Sequence, residues 1–131
     1  MADLSAKIKQ ADWKTEKHVP VIEAPETVTA DEMFEVKVSL GKEVAHPNTT
    51  EHHIASVELY FHAENEKAPH LIGTFQFGAH GESVDGPNEG PVYTHHCAAT
   101  AMKTSQSGTL HALAYCNIHG LWESTKEIKV G

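Results

Sequence analysis

The sequence predicts an all-β fold: an immunoglobulin-like antiparallel β-sandwich of about seven strands, with a short N-terminal helix or loop. Three observations predict it. Apolar and polar residues alternate in several short runs, as in Phe34-Glu35-Val36-Lys37-Val38, the period of a half-buried strand. Turn signals separate the runs, among them Gly41, Gly108 and a stretch rich in Gly and Pro at 78–91. Only the first dozen residues offer a helical face, built from Leu4, Ile8 and Ala11. At 131 residues, the chain is expected to form a single domain over 1–131.

The elements follow in order. After the N-terminal turn of helix, an early strand is expected at 26–29. The next strand runs through the alternation of Phe34, Val36, Val38 and Leu40 and ends at Gly41. From residue 53 to 61 the chain alternates again, with Ala55, Val57, Leu59 and Phe61 on one side. A strand at 71–77 leads into the loop at 78–91. Two more strands, at 92–102 and 109–115, are expected to join near Gly108, and 125–130 closes the chain.

Composition narrows the function. The chain holds 18 acidic residues against 10 basic ones, all of them lysine, for a formal charge of −8. A chain without arginine and with this charge is poorly suited to phosphate backbones, so no nucleic-acid partner is expected. No apolar run approaches the roughly 20 residues that span a bilayer, so no membrane partner is expected. The N-terminus MADLSAKIKQADWK lacks a signal-peptide core, which predicts a cytoplasmic protein. In that compartment Cys97 and Cys116 are expected to be buried, catalytic or metal-bound thiols rather than a disulfide.

Histidine, with 11 copies, is the feature to explain. His18, His46, His52 and His119 each lie in a loop or at a strand edge beside restricted backbone. Pro20 biases Val19 towards an extended shape; if that shape reaches back to residue 16, Glu16 and His18 project to one side. His46 precedes Pro47, and His52 stands at the entrance of a strand. Cys116-Asn117-Ile118-His119-Gly120 places a thiol and an imidazole three residues apart, with glycine allowing a tight turn. Four imidazoles and one thiolate form a nitrogen-plus-sulfur ligand set. It does not suit magnesium or calcium, and it exceeds the four ligands of a structural zinc site.

Four motifs occur in sequence: E-K-H-V-P, H-P-N-T-T-E-H-H, A-H-G-E-S-V-D-G-P-N and C-N-I-H-G-L-W. Together they resemble superoxide reductase, in its one-iron neelaredoxin form, whose catalytic domain is related to desulfoferrodoxin. The resemblance runs from about Asp12 to Val130. The cysteines of the extra rubredoxin-like iron domain of desulfoferrodoxin are missing, which points to the one-iron class. The resemblance implies one iron ion (Fe2+/Fe3+) per chain, with His18, His46, His52 and His119 as equatorial ligands and Cys116 as the axial one. It implies that Glu16 fills the sixth position in the ferric state. It also implies one-electron reduction of superoxide to hydrogen peroxide without producing oxygen, with electrons from rubredoxin or a similar donor. One-iron members form homotetramers, so a homo-oligomer is expected.

The chemistry of the groups agrees with this. A thiolate opposite an open position pushes electron density towards whatever binds there. Ferrous iron with one thiolate and four neutral imidazoles carries about +1, which attracts an anion. Lys17 would add positive charge on the approach path and help to deliver a proton.

The other histidines are expected to be ordinary. His53 alternates away from the apolar face, and His62, His70, His95, His96 and His111 suit surface positions or satisfied hydrogen bonds. His80 suits either a loop-stabilising bond or a role behind the ligands. Cys97 reads as a small buried hydrophobe, and Trp13 and Trp122 as packing near the site. The rival reading is a cupredoxin-like copper electron-transfer protein, which wants two histidines, one cysteine and usually a methionine after them. No methionine follows Met102.

Overall fold

The computed structural model describes residues 3–131. A 3-10 turn, Leu4–Lys7, is followed by β1 (Val21–Glu23), β2 (Thr27–Val28), β3 (Phe34–Ser39), β4 (Ile54–Ala63), β5 (His70–Gln76), β6 (Cys97–Met102), β7 (Gly108–Cys116) and β8 (Gly120–Val130). These form a three-stranded sheet, β1-β3-β6, and a five-stranded sheet, β2-β8-β7-β4-β5. The all-β class holds, with eight strands among the described residues.

Alternation produces the core. Val36 and Val38 of β3, with the following Leu40, turn inward, as do Val57, Leu59 and Phe61 of β4 and Leu110, Ala112 and Ala114 of β7. Each fully buried leucine or isoleucine here, such as Leu59, Leu110 or Ile128, stabilises the fold by roughly 1.5–3 kcal/mol.

Several expectations change. Residues 92–96 do not join β6: the chain there forms only a bridge between His80 and Tyr93, and the strand starts at Cys97. β6 and β7 do not pair as neighbours, because β6 lies beside β3 and β7 lies between β4 and β8. The connection near Gly108 therefore crosses from one sheet to the other. β1 was not expected; three residues are too few for alternation to show. The early strand forms as β2 but runs parallel to β8, so the sandwich is not wholly antiparallel. Ile54, not Ala55, is buried at the start of β4. The register against β7 shifts between Ile54 and Ser56, and the extra residue of such a bulge turns its neighbour to the other face. The N-terminal turn buries none of its residues; the chain just after it joins the molecule instead, through the Lys9 N–H to Leu121 O at 3.1 Å and the Glu123 N–H to Lys9 O at 2.8 Å.

The register also defines one end of the sandwich. In the small sheet Val21 faces Ser39 and Ser39 faces Cys97. In the large sheet Ile54 faces Cys116 and Cys116 faces Gly120. The segments leaving these rungs carry His18, His46, His52 and His119.

Candidate metal centre

Cys116 is the last inward residue of β7. The alternation Leu110, Ala112, Ala114, Cys116 keeps all four on the core face, so the thiol sits at the end of the core with no exposed surface. Three residues then turn into β8. Gly120 closes the turn at φ 80°, a left-handed conformation that costs other residues about 1–2 kcal/mol. The turn brings the His119 backbone N–H to 3.4 Å from Cys116 Sγ and His119 Nδ1 to 3.8 Å from it.

His18 enters from the segment before β1. Its ring lies flat against Trp122, with centroids 4.9 Å apart at 15°. Its Nδ1–H donates to Glu16 Oε1 at 2.7 Å, and its backbone N–H donates to the same oxygen at 3.1 Å. Glu16 and His18 thus share a side as expected, but residues 17 and 18 form a turn, not an extended strand. The carboxylate reaches by bonding to the backbone two residues ahead. With Nδ1 so engaged, the lone pair lies on Nε2, 3.0 Å from His119 Nδ1.

His46 and His52 come from the loop between β3 and β4. Gly41 starts that loop at φ 81°, where a Cβ would stand 3.1 Å from the His46 nitrogen. The His46 Nδ1–H donates to Pro47 O at 2.7 Å, which again leaves the lone pair on Nε2. His52 is held by a turn in which its N–H donates to Thr49 Oγ1 at 3.0 Å and Thr49 N–H donates to His52 O at 2.9 Å. The Nε2 atoms of His46 and His52 are buried without a hydrogen-bond partner. Such orphans are costly unless something fills the space before them.

Ligand atoms of His18, His52, Cys116 and His119 all lie within 4.8 Å of one another. His46 stands outside that tight group but completes the circuit of rings. Centroids are separated by 4.9 Å from His18 to His46, 4.9 Å from His46 to His52, 5.0 Å from His52 to His119 and 4.5 Å from His119 to His18. The His18–His52 diagonal is 6.3 Å. Four near-equal edges and one longer diagonal describe a four-cornered array with the Cys116 sulfur beside it. Two orphaned imidazole nitrogens and a thiol fit a transition metal that takes nitrogen and sulfur.

Burial favours the neutral form at His46 and His52. Burial pushes the His46 pKa down to about 4, against the pull of the Pro47 carbonyl. The His52 pKa is lowered by burial and by the neighbouring His119, His18 and Lys17. Burial works against a charge on Glu16, but hydrogen bonds from His18 and the positive charge of Lys17 outweigh it and hold the carboxyl below its usual range. Lys17 is half-buried, and its field reaches both Glu16 and His52. Glu16 is committed to His18 here, so filling a sixth metal position would require that bond to break.

Other residues fall as follows. Trp122 backs the site, donating from Nε1 to His119 O at 3.3 Å, whereas Trp13 lies under Lys14 and Lys42. The His62 Nε2–H donates to Glu66 O and the His111 Nδ1 faces Glu123; His70 and His95 are exposed. His96 is buried, contrary to expectation, with its ring 5.9 Å from that of His46, because strand pairing begins after it and its loop folds inward. Cys97 is half-buried and free. Asn117 escaped sequence reasoning. Its side chain accepts from His53 N–H at 2.9 Å and donates to Glu51 O at 2.9 Å, tying the Cys116–His119 turn to the His52 segment. Its place inside the C-N-I-H motif was its only signal.

The family model described as Desulfoferrodoxin matches residues 10–125. Neelaredoxin of Megalodesulfovibrio gigas is 58% identical over 118 residues, covering 90% of this chain and 91% of that protein. Superoxide reductase of Pyrococcus furiosus is 54% identical over 121 residues, covering 92% and 95%. The crystal structure of a Thermotoga maritima protein provisionally named a superoxide reductase superposes with a TM-score of 0.97 at 52% identity, covering 100% of this chain and 99% of that one. None of these relatives supports the copper reading, and four converging imidazoles exceed what it needs. The motifs, the sandwich and the match across most of the length agree: this chain belongs to the desulfoferrodoxin family.

Proposed function

We propose that the protein is a superoxide reductase, an oxidoreductase that reduces superoxide by one electron and two protons to hydrogen peroxide without releasing oxygen. The observation that carries the proposal is the clustering of His18, His52, His119 and Cys116, with the His46 ring beside those of His18 and His52 and two buried imidazole nitrogens lacking partners. The names of the relatives support it. The chain is a metal protein by family and by donor set; we assign one iron per chain, held by Nε2 of His18, His46 and His52, Nδ1 of His119 and Sγ of Cys116. Bound there, iron supplies the one-electron chemistry, and the thiolate raises the electron density available to the substrate.

The remaining residues do the work around it. Glu16 holds His18 in the tautomer that leaves Nε2 free, as carboxylates behind metal-bound histidines do. Ligation of Glu16 at a sixth position, which the resemblance implies for the oxidised state, would require its bond to His18 to break. Lys17 draws the anionic substrate and passes a proton through water. A single domain, a cytoplasmic location, a rubredoxin-like donor and a homotetramer complete the reading, supported by the family resemblance; among the described residues no helix is long and apolar enough to cross a membrane.

The test is iron analysis, a visible spectrum of the oxidised protein and a superoxide assay with oxygen and peroxide both measured. About one iron per chain, a sulfur-to-iron absorption band and peroxide formed without oxygen are expected. Copper in place of iron, or oxygen released with the peroxide, would overturn the proposal.

A further inference from the structure

The loop between β5 and β6 carries the A-H-G-E-S-V-D-G-P-N motif, which the chemistry above does not use. Near its start, His80 is only 3% exposed. Its Nε2 lies 2.6 Å from Phe77 O and its Nδ1 lies 2.8 Å from Asn48 Oδ1. The Asn48 amide nitrogen donates to Thr94 O at 2.9 Å, which turns the amide oxygen towards His80. Both ring nitrogens therefore face oxygen atoms; a neutral ring donates from one of them, and neither nitrogen is turned towards a metal. The His53 ring stacks flat on the His80 ring, with centroids 3.5 Å apart at 2°. Thr50 Oγ1 donates to His80 O at 2.7 Å.

Three of these contacts, from Asn48, Thr50 and His53, tie His80 to residues 48–53, the stretch between His46 and the start of β4. That stretch has no strand ladder, so apart from the Asn117 N–H bond to His53 O at 3.2 Å its placement depends on side-chain bonds. The bonds between Thr49 and His52 are local and shape the turn without locating it. Thr50 N–H donates to Asn88 Oδ1 at 2.8 Å, and Asn88 N–H donates to Thr50 Oγ1 at 3.1 Å, so the far end of the same loop grips the stretch as well. Asn117 anchors it from the opposite side.

We propose that His80 is a positioning residue for the metal centre: through Asn48, it fixes the backbone that aims the Nε2 atoms of His46 and His52. The proposal rests on the reading of those two histidines as ligands. It distinguishes the two ring nitrogens of His80, because only Nδ1 leads to the ligand loop, while Nε2 bonds within its own loop. Asparagine places an amide donor near the Nδ1 position, and glutamine places one near Nε2.

The experiment measures iron loss to a chelator from the iron-loaded protein, with the position of the sulfur-to-iron band, for H80N, H80Q, H80F and H46A. H80Q and H80F are expected to lose iron about tenfold faster or more, the scale of losses behind metal ligands, and to shift the band. H80N is expected to stay close to the unmodified protein. Equal iron loss from all three His80 variants, or H80N as fast as H80F, would overturn the proposal. If H80F does not fold, the H80N and H80Q pair decides alone. H46A separates the two readings. Unchanged iron retention in H46A would remove His46 as a ligand, and this proposal with it. Iron loss in H46A with native-like H80Q would remove the positioning role alone.

Discussion

Cys116, Lys17 and His96 lie at or near one end of the molecule, and each makes its own prediction. Replacing Cys116 with serine takes away a thiol at the end of the core; absorption from sulfur to ferric iron and superoxide reduction should both be lost. Colour surviving the change would refute Cys116 as a ligand. Lys17→Ala removes a positive charge whose field reaches Glu16 and His52. Superoxide capture should slow by roughly tenfold, at the low end of electrostatic steering, while iron stays bound; stopped-flow rates at several salt concentrations check it. His96 and His46 have pKa values pushed to about 4 by burial, against about 6.5 in an unfolded chain. Between these values the unfolded chain binds protons that the folded one refuses, so stability falls as pH drops from about 6.5 to about 4 and is retained above. Thermal melts of the metal-free protein should show this slope, and His96→Phe should make it shallower.

At the scale of elements, the site is a product of turns attached to paired strands. The Cys116–Gly120 rung fixes how the β7–β8 turn closes, and the positive φ of Gly120 sets its path. Gly120→Ala should therefore cost about 1–2 kcal/mol and move His119 relative to Cys116. Denaturant unfolding gives the first effect, and a shifted absorption band of the iron-loaded protein gives the second. A core change far from the turn, Leu59→Ala, should cost 2–5 kcal/mol yet leave the band in place. An unmoved band in Gly120→Ala would mean that the turn is more tolerant than its geometry suggests.

For the whole molecule, a formal charge of −8 faces an anionic substrate. A uniformly negative surface would repel superoxide, and added salt would then speed capture by screening the repulsion. In the proposed reading, Lys17 and the iron would concentrate positive charge at the site instead. Salt should slow capture in the native protein, and this dependence should weaken in Lys17→Ala. Acceleration by salt in the native protein would place the dominant field over the whole surface rather than at the site.

The candidate donor groups, their order along the chain and the class of fold were legible in the sequence because each is local. Alternation marks strands, Pro20, Pro47 and Gly120 mark restricted turns, and a Cys-x-x-His spacing survives in the linear text. What the sequence left open were relations between distant segments. Tertiary structure alone decided that the strands flanking Gly108 belong to different sheets, that β2 runs parallel to β8, and that a bulge buries Ile54. It alone buried His96 beside His46, bonded Asn117 across to residues 51–53, and stacked His80 on His53. Such contacts join residues tens of positions apart, and their free energy appears only when two loops that share no periodicity meet. The sequence by itself determined which groups this protein offers a metal; only packing of the loops determined how they are aimed.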